Sequence, residues 1–174
     1  MRPSNIQLTN HERTFPEDDV IVSKTDLKGK ITYVNRTFIG VSGYSEEELL
    51  DQPHNIIRHP DMPRCVFKLM WDTLESRHEI FAYVINLSKN GDHYWVFAHV
   101  TPSFDLSGRA VGYHSNRRVP DRRGVDLFAD VYRQLKNEEM KHSDPKRGME
   151  AGGQLLQRMM SEKNTSYDEF VFSL

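Results

Sequence analysis

The amino-acid sequence predicts an α+β fold: a five-stranded antiparallel sheet with helices inserted between strands 2 and 3, followed by a helical C-terminal extension. Turn-forming residues at 26–29, 88–92 and 105–108 separate short extended segments, and such tight turns join antiparallel strands. Between the first two turns the apolar residues change to a spacing of three and four, which is typical of helices. The same helical spacing returns after residue 120.

The first two strands form a hairpin. Val20–Val22 opens the first strand, Lys30–Val34 forms the second, and Asp26–Gly29 supplies the turn. Gly29 can adopt a positive φ, which a tight turn of this kind often requires.

Helices are expected between the second and third strands. Asn35 can cap the first helix, and Ser45 with Glu48 three residues later forms a capping box for the second. A loop rich in proline and polar residues follows, in which Asp61 can cap a third helix that has Pro63 in its first turn. The third helix carries one apolar stripe at helical spacing: Phe67, Met70, Trp71 and Leu74.

The last three strands are predicted at residues 79–87, 93–104 and 110–119. Both faces of residues 93–100 are largely apolar, whereas a sheet with one face in water would alternate between apolar and polar residues. We therefore expect both faces to be covered. The inserted helices can cover one face, and the N-terminal arm, the C-terminal segment or a second subunit can cover the other.

These elements divide the chain into an irregular N-terminal arm at residues 1–19, a main domain at 20–120 and a helical C-terminal extension at 121–174. The extension carries one apolar stripe beginning at Phe128 and another beginning at Leu155. We interpret these stripes as packing faces that cover the outer sheet or mediate dimerisation. Between them, Lys141–Gly148 is interpreted as a polar linker.

Composition excludes several classes of protein. Lys and Arg total 23 and Asp and Glu total 25, so a net charge of -2 gives no electrostatic support for nucleic-acid binding. The single cysteine, Cys65, excludes an internal disulfide and a cysteine-based zinc site. No stretch approaches the ~20 apolar residues that span a bilayer, and the polar N-terminus lacks a secretory apolar region. We therefore expect a cytoplasmic protein without membrane insertion.

Several sequence segments resemble a known sensor family. The following are similar to PAS domains in general: Asp26-Leu27, Ile31-Thr32, Asn35, Thr37-Phe38 and Val41-Ser42-Gly43-Tyr44. The following resemble, more specifically, the FAD-binding PAS sensor of bacterial aerotaxis receptors: Gln52-Pro53-His54-Asn55, Arg58-His59-Pro60-Asp61-Met62-Pro63, Met70-Trp71 and Lys89-Asn90-Gly91-Asp92-His93-Tyr94-Trp95-Val96. The resemblance covers about residues 20–119 and implies a PAS fold for the main domain.

The resemblance also implies a flavin held between the inserted helices and the inner face of the sheet. The residues that it places at the cofactor are Asn35, Arg58, His59, Asp61, Phe67, Trp71 and Asn86. Trp71 is expected to pack at the wall of the cleft.

Local reasoning leaves a structural alternative for several of these residues. Arg58 can hold a pyrophosphate through paired donors or form a surface ion pair. Asp61 can belong to an anion site at a helix N-terminus or act only as a cap. Asn86 can bind the edge of a flavin ring or close the following turn, and Asn35 can contact the ligand or simply cap the first helix.

Three functional hypotheses follow. In the first, a cytoplasmic, dimeric PAS module binds FAD and reports redox state or oxygen to a chemotaxis or kinase signalling protein. In the second, haem replaces the flavin through His99, His114 or another histidine, with His114 able to face the cavity. In the third, a cofactor-free domain acts as a dimerising adaptor. An enzyme is not expected, because no nucleophile–base pair or catalytic motif is present, and Cys65 is interpreted as a small buried residue. Because residues 121–174 are too few for an anchor and an output domain, we expect a stand-alone sensor that acts by contact.

Overall fold

The computed structural model describes residues 6–173 of the chain. Within these residues, five strands form one sheet: β1 Ile21–Thr25, β2 Ile31–Val34, β3 Ile80–Leu87, β4 His93–Phe104 and β5 Ala110–Arg118. The helices in the same range are α1 Arg36–Ser42, α2 Glu46–Leu49, a 3-10 helix His54–Ile57, α3 Arg64–Glu75, α4 Arg122–Met140, α5 Pro145–Glu162 and α6 Tyr167–Phe172. The strand order is β2-β1-β5-β4-β3 with antiparallel neighbours throughout. The predicted α+β fold, with helices inserted between strands 2 and 3, is confirmed.

The first two predicted helix caps are confirmed. Asn35 Oδ1 accepts a hydrogen bond from the Phe38 N–H at the start of α1. Ser45 and Glu48 form both hydrogen bonds of a capping box at the start of α2. These interactions span three residues, which is why the local sequence is sufficient to predict them.

The predicted cap at Asp61 is wrong. Helix α3 begins at Arg64 with Pro63 before it, and the side chain of Asp61 is 74% exposed. The cap comes from a distant part of the chain, because Glu139 Oε1 on α4 accepts the Cys65 N–H at 2.8 Å. A carboxylate at this end of α3 satisfies a backbone donor and interacts favourably with the helix dipole.

The C-terminal extension covers the outer face of the sheet. The Tyr83 ring stacks on Phe128 with centroids 4.7 Å apart, and the Tyr132 hydroxyl donates to the Tyr83 carbonyl at 2.5 Å. At the other end of this face, Phe172 of α6 makes edge contacts with Phe81 and Phe97. The apolar outer face predicted from the sequence is therefore covered by α4 and α6 of the same chain.

The extension is also tied to the inserted helices. Helices α4 and α5 lie against each other so closely that a Cβ on Gly148 would come within 2.4 Å of the Glu139 carbonyl oxygen. Helix α5 packs on α3, with Gly152 next to the Cys65 sulfur. The predicted linker at 141–148 is too long, because Asp144 caps α5 and Pro145 occupies its first position. Helix α6 was not predicted from the sequence.

The predicted N-terminal arm lies partly within the described residues, and residues 1–5 lie outside them. Residues 6–19 are mostly irregular. They contact the turn between β3 and β4, where the Thr9 N–H donates to the Gly91 carbonyl at 3.0 Å. Gly91 has φ +96°, and a Cβ on it would lie 1.9 Å from the Gln7 carbonyl oxygen. The arm therefore requires a glycine at this turn.

Candidate functional site

A cavity of about 270 Å3 lies between the inner face of the sheet and the inserted segments. Its floor comes from β1, β3, β4 and β5, and its wall from the 3-10 helix and α3. The residues that line the cavity include Ser23, Lys28, Gly29, His54, Arg58, Phe67, Met70, Trp71, Leu74, Val84, Asn86, Ala98, Tyr113, Ser115 and Arg117. Small side chains on β3 and β4 leave this space open beneath α3.

The apolar stripe of α3 lines the cavity. Phe67, Met70, Trp71 and Leu74 all face it, and Trp71 is 36% exposed at one side. The indole meets the Tyr113 ring edge-on with centroids 5.4 Å apart. The apolar stripe predicted for this helix therefore forms an aromatic and apolar wall, suited to the face of a planar ligand.

One end of the cavity is polar and positively charged. The buried Arg117 Nη2 donates to Ser23 Oγ at 2.8 Å and to His54 Nε2 at 2.7 Å. Burial, with the nearby Arg117 charge, lowers the pKa of His54 to about 3. Burial also lowers the pKa of Arg117 to about 10. At neutral pH the imidazole is therefore uncharged and accepts a hydrogen bond from a charged guanidinium.

Three buried polar atoms of the cavity lack partners among the described residues. Within residues 6–173, Asn86 Nδ2, Ser115 Oγ and Arg117 Nη1 are all buried and have no hydrogen-bond partner. All three side chains line the cavity. A buried polar group without a partner costs about 1–3 kcal/mol, so a ligand that bonds to these atoms would relieve that cost.

Arg58 lies on the wall opposite the sheet. Its guanidinium lies over the Phe67 ring, 4.4 Å from the centroid, and Nη2 donates to the Met62 carbonyl at 2.9 Å. Its backbone pairs with that of Asn86 on β3 in an isolated antiparallel bridge. This bridge connects the loop before α3 to β3.

The structure brings four of the seven predicted site residues to the cavity, namely Arg58, Phe67, Trp71 and Asn86. Asn35 lies outside the cavity lining, where Nδ2 donates to the Val20 carbonyl at 2.7 Å and Oδ1 accepts the Val22 N–H at 3.0 Å. His59 is buried beside His93, with ring centroids 5.8 Å apart. Burial lowers the pKa of His59. Asp61 is exposed, and its N–H donates to His59 Nδ1 at 3.2 Å.

The polar or aromatic residues of the cavity that sequence reasoning missed include Ser23, His54, Tyr113, Ser115 and Arg117. Strand alternation contained the signal for three of them, because Tyr113, Ser115 and Arg117 share one face of β5. His54 lies in a segment that resembles the PAS sensor of aerotaxis receptors, but the resemblance does not place it at the cofactor.

The two histidines proposed for haem do not line the cavity. His99 stacks on Phe81 with centroids 4.1 Å apart, and its Nε2 lies 2.7 Å from Glu79. His114 alternates with Tyr113 and Ser115 on β5, so it lies on the opposite face of the sheet. The expectation that His114 faces the cavity is wrong, and His54 is the histidine that lines it among the described residues.

Cys65 contacts the extension. Its sulfur lies beside Gly152, and burial together with Glu139 raises the pKa of the thiol to about 12. A thiol of this kind is protonated at neutral pH and unreactive as a nucleophile.

The sequence is similar to those of known proteins. The family model for the PAS fold matches residues 31–117. The chain is 44% identical over 132 residues to the aerotaxis receptor of Escherichia coli (strain K12), covering 76% of this chain and 26% of that protein. It is 32% identical over 99 residues to the nitrogen fixation regulatory protein of Klebsiella pneumoniae, covering 57% of this chain and 20% of that protein. The chain therefore spans about a quarter or less of these relatives.

A comparison of structures gives the same architecture. A light-oxygen-voltage domain studied with a flavin analogue superposes with a TM-score of 0.56 at 21% identity, covering 71% of this chain and 87% of that one. At this identity the likeness concerns the fold alone. In the part of the chain that the structure describes, no helix is both long and apolar enough to cross a membrane.

Proposed function

The chain belongs to the PAS fold family, and from that premise we propose that it is a sensor module that binds a flavin, FAD, in the cavity beneath α3. In this proposal the module reports redox state or oxygen to a partner signalling protein and is not an enzyme. The observation that carries the proposal is the cavity itself, which combines an aromatic and apolar wall with three buried polar atoms that lack partners among residues 6–173.

The residues fit the chemistry of a flavin ring. The ring is flat and apolar on its faces, matching the α3 stripe above and Val84 and Ala98 below. Its edge offers hydrogen-bond donors and acceptors, which suit the Asn86 amide and the Ser115 hydroxyl. A cavity of about 270 Å3 is suited to the ring system, so the rest of a dinucleotide would extend beyond it. Arg58 is the residue we propose for the pyrophosphate.

The bound flavin would supply reversible electron transfer. Residues of this chain would convert the change in its redox state into a structural change. Asn86 and Tyr83 lie on β3, with Asn86 at the cavity and Tyr83 against Phe128 and Tyr132 of α4. A change in the hydrogen bonds of Asn86 therefore acts on β3, the strand against which α4 packs. The size of the response is limited by the difference in ligand binding free energy between the redox states.

Relatives support the signalling part of the proposal. The aerotaxis receptor shares 44% identity over 132 residues, and the sequence resembles the FAD-binding sensor of that receptor class. We propose a chemotaxis or kinase signalling protein as the partner and a homodimer as the working form. Contact with nucleic acid or insertion into a membrane plays no part in this proposal.

A cavity-filling substitution tests the proposal. Ala98 is buried on the floor of the cavity, so Ala98→Leu places its added atoms in the space that the ring would occupy. We expect it to leave the free energy of unfolding unchanged or higher while abolishing FAD uptake. The matched control is Val111→Leu, an exposed position on β5. Equilibrium titration of the cofactor-free proteins with FAD, followed by flavin fluorescence, measures uptake. If Ala98→Leu is folded and binds FAD as tightly as the control, the ring does not occupy this cavity.

A further inference from the structure

We propose that Arg117 is a ligand-binding residue whose guanidinium recognises negative charge on the edge of the bound ring, with His54 and Ser23 as positioning residues. This inference rests on the proposed flavin function. It concerns which redox and charge state of the ring the cavity favours, and it adds three residues that the resemblance to known sensors does not assign.

The first observation is the charge of the cavity wall. Three cationic side chains line it, namely Lys28, Arg58 and Arg117, and within residues 6–173 no carboxylate does. The whole chain carries a net charge of -2, so this wall is unlike the protein as a whole. Cations gathered around a cavity attract an anionic ligand, and the attraction is stronger where water is excluded.

The second observation is that Arg117, the most buried of these cations, has no counterion among residues 6–173. Arg117 is 4% exposed, and in the part of the chain that the structure describes it forms no ion pair with a carboxylate. The Phe38 ring also lies near it, with its centroid 5.3 Å from the guanidinium carbon. Hydrogen bonds to neutral groups and a ring face do not compensate a buried charge fully. A negative charge on a ligand would.

The third observation is the geometry of the guanidinium. His54 and Ser23 both accept from Nη2, which fixes the orientation of the fork. Nη1 is left buried and without a partner among the described residues. Because the imidazole is neutral, it orients the guanidinium without neutralising it, and the charge remains available to the cavity.

The consequence concerns protons as well as electrons. When a chemical reductant such as dithionite gives the ring two electrons, uptake of one proton from water leaves it with one negative charge, and uptake of two leaves it neutral. A buried cation favours the one-proton outcome. With one proton for two electrons, the midpoint potential falls by about 30 mV per pH unit, and with two protons by about 60 mV.

The histidine and the tyrosines that face the cavity or Arg117 do not titrate in the range to be measured, pH 6–8. The pKa of His54 is lowered to about 3 by burial, and burial raises the pKa of Tyr94 and Tyr113. The remaining cavity cations are Lys28 and Arg58. The slope of potential against pH therefore reports the ring.

The experiment uses the full chain loaded with FAD and compares wild type with three variants. Arg117→Gln removes the charge, Arg117→Lys keeps it, and Arg118→Gln removes a neighbouring charge at an exposed position of the same strand. Dithionite titrations at several pH values give the potentials, and fluorescence titrations give the dissociation constants.

We expect a slope of about 30 mV per pH unit for wild type, Arg117→Lys and Arg118→Gln. For Arg117→Gln we expect at least tenfold weaker binding of oxidised FAD and a further tenfold loss for the reduced form, which lowers the potential by about 30 mV, together with a slope steeper than that of wild type. If Arg117→Gln matches Arg118→Gln, Arg117 does not bind the ring. A wild-type slope near 60 mV overturns the inference even if Arg117→Gln fails to fold. A wild type that takes up no flavin removes the proposed function as well.

Discussion

Replacement of Asn35 by alanine separates a structural role from a role in ligand binding. The side chain makes three hydrogen bonds: Oδ1 accepts from Phe38 and Val22, and Nδ2 donates to the Val20 carbonyl. Loss of a helix N-cap costs about 1 kcal/mol, and each further hydrogen bond contributes about 1 kcal/mol. We therefore expect Asn35→Ala to lower the free energy of unfolding of the cofactor-free protein by about 3 kcal/mol. With a urea dependence of about 2 kcal/mol per M, the midpoint falls by about 1.5 M.

Urea unfolding of the cofactor-free protein is the assay, because it removes any contribution from bound flavin. The matched control is Ser45→Ala, which removes another N-cap that makes no bond to a strand. We expect it to cost about 1 kcal/mol. The reasoning is refuted if the urea midpoint of Asn35→Ala lies within about 0.5 M of the wild-type midpoint while the affinity for FAD collapses. That outcome would make Asn35 a ligand contact.

Three further predictions concern the extension and the polar end of the cavity. Glu139→Ala, which removes the cap on the Cys65 N–H and leaves a small void, should lower the free energy of unfolding by about 2–3 kcal/mol in the same urea assay. Replacement of the more exposed neighbour, Glu138→Ala, should leave the urea midpoint nearly unchanged. The pKa of His54 in the folded protein is about 3, below its ordinary value of 6.5. As the pH falls, the unfolded chain therefore takes up a proton before the folded protein does. The stability that neutral His54 provides is lost over this range. The difference in unfolding free energy between wild type and His54→Gln should therefore shrink by about 2 kcal/mol from pH 7 to pH 5; a constant difference would mean that the fold does not lower the pKa of His54. Truncation after Pro120 uncovers the outer sheet face, and light scattering should detect aggregation; a monomeric, folded fragment would show that α4 and α6 are dispensable.

The parts of the fold that the sequence predicts are those set by neighbouring residues. The hairpin turns, the Asn35 cap and the Ser45–Glu48 box depend on contacts within a few residues, and all are present. The cap of α3 was mispredicted because its carboxylate comes from Glu139, 74 residues from Cys65. A local pattern cannot reveal a partner at that separation.

The same distinction applies to the cavity. The α3 stripe could be identified from its spacing, but whether it packs tightly or borders a space depends on the small residues of β3 and β4 beneath it. The contact between Arg117 and His54 joins residues 63 positions apart. Strand alternation places Arg117 on the inner face, and only the packed sheet shows that it meets His54 there.

The absorption spectrum of freshly purified protein tests the central claim most directly. We expect a yellow protein with the visible absorption bands of a bound flavin. Denaturation should release about one FAD per chain, as expected for a cavity of this size. Colourless protein that takes up no added FAD, with a folded state confirmed by cooperative urea unfolding, would contradict it.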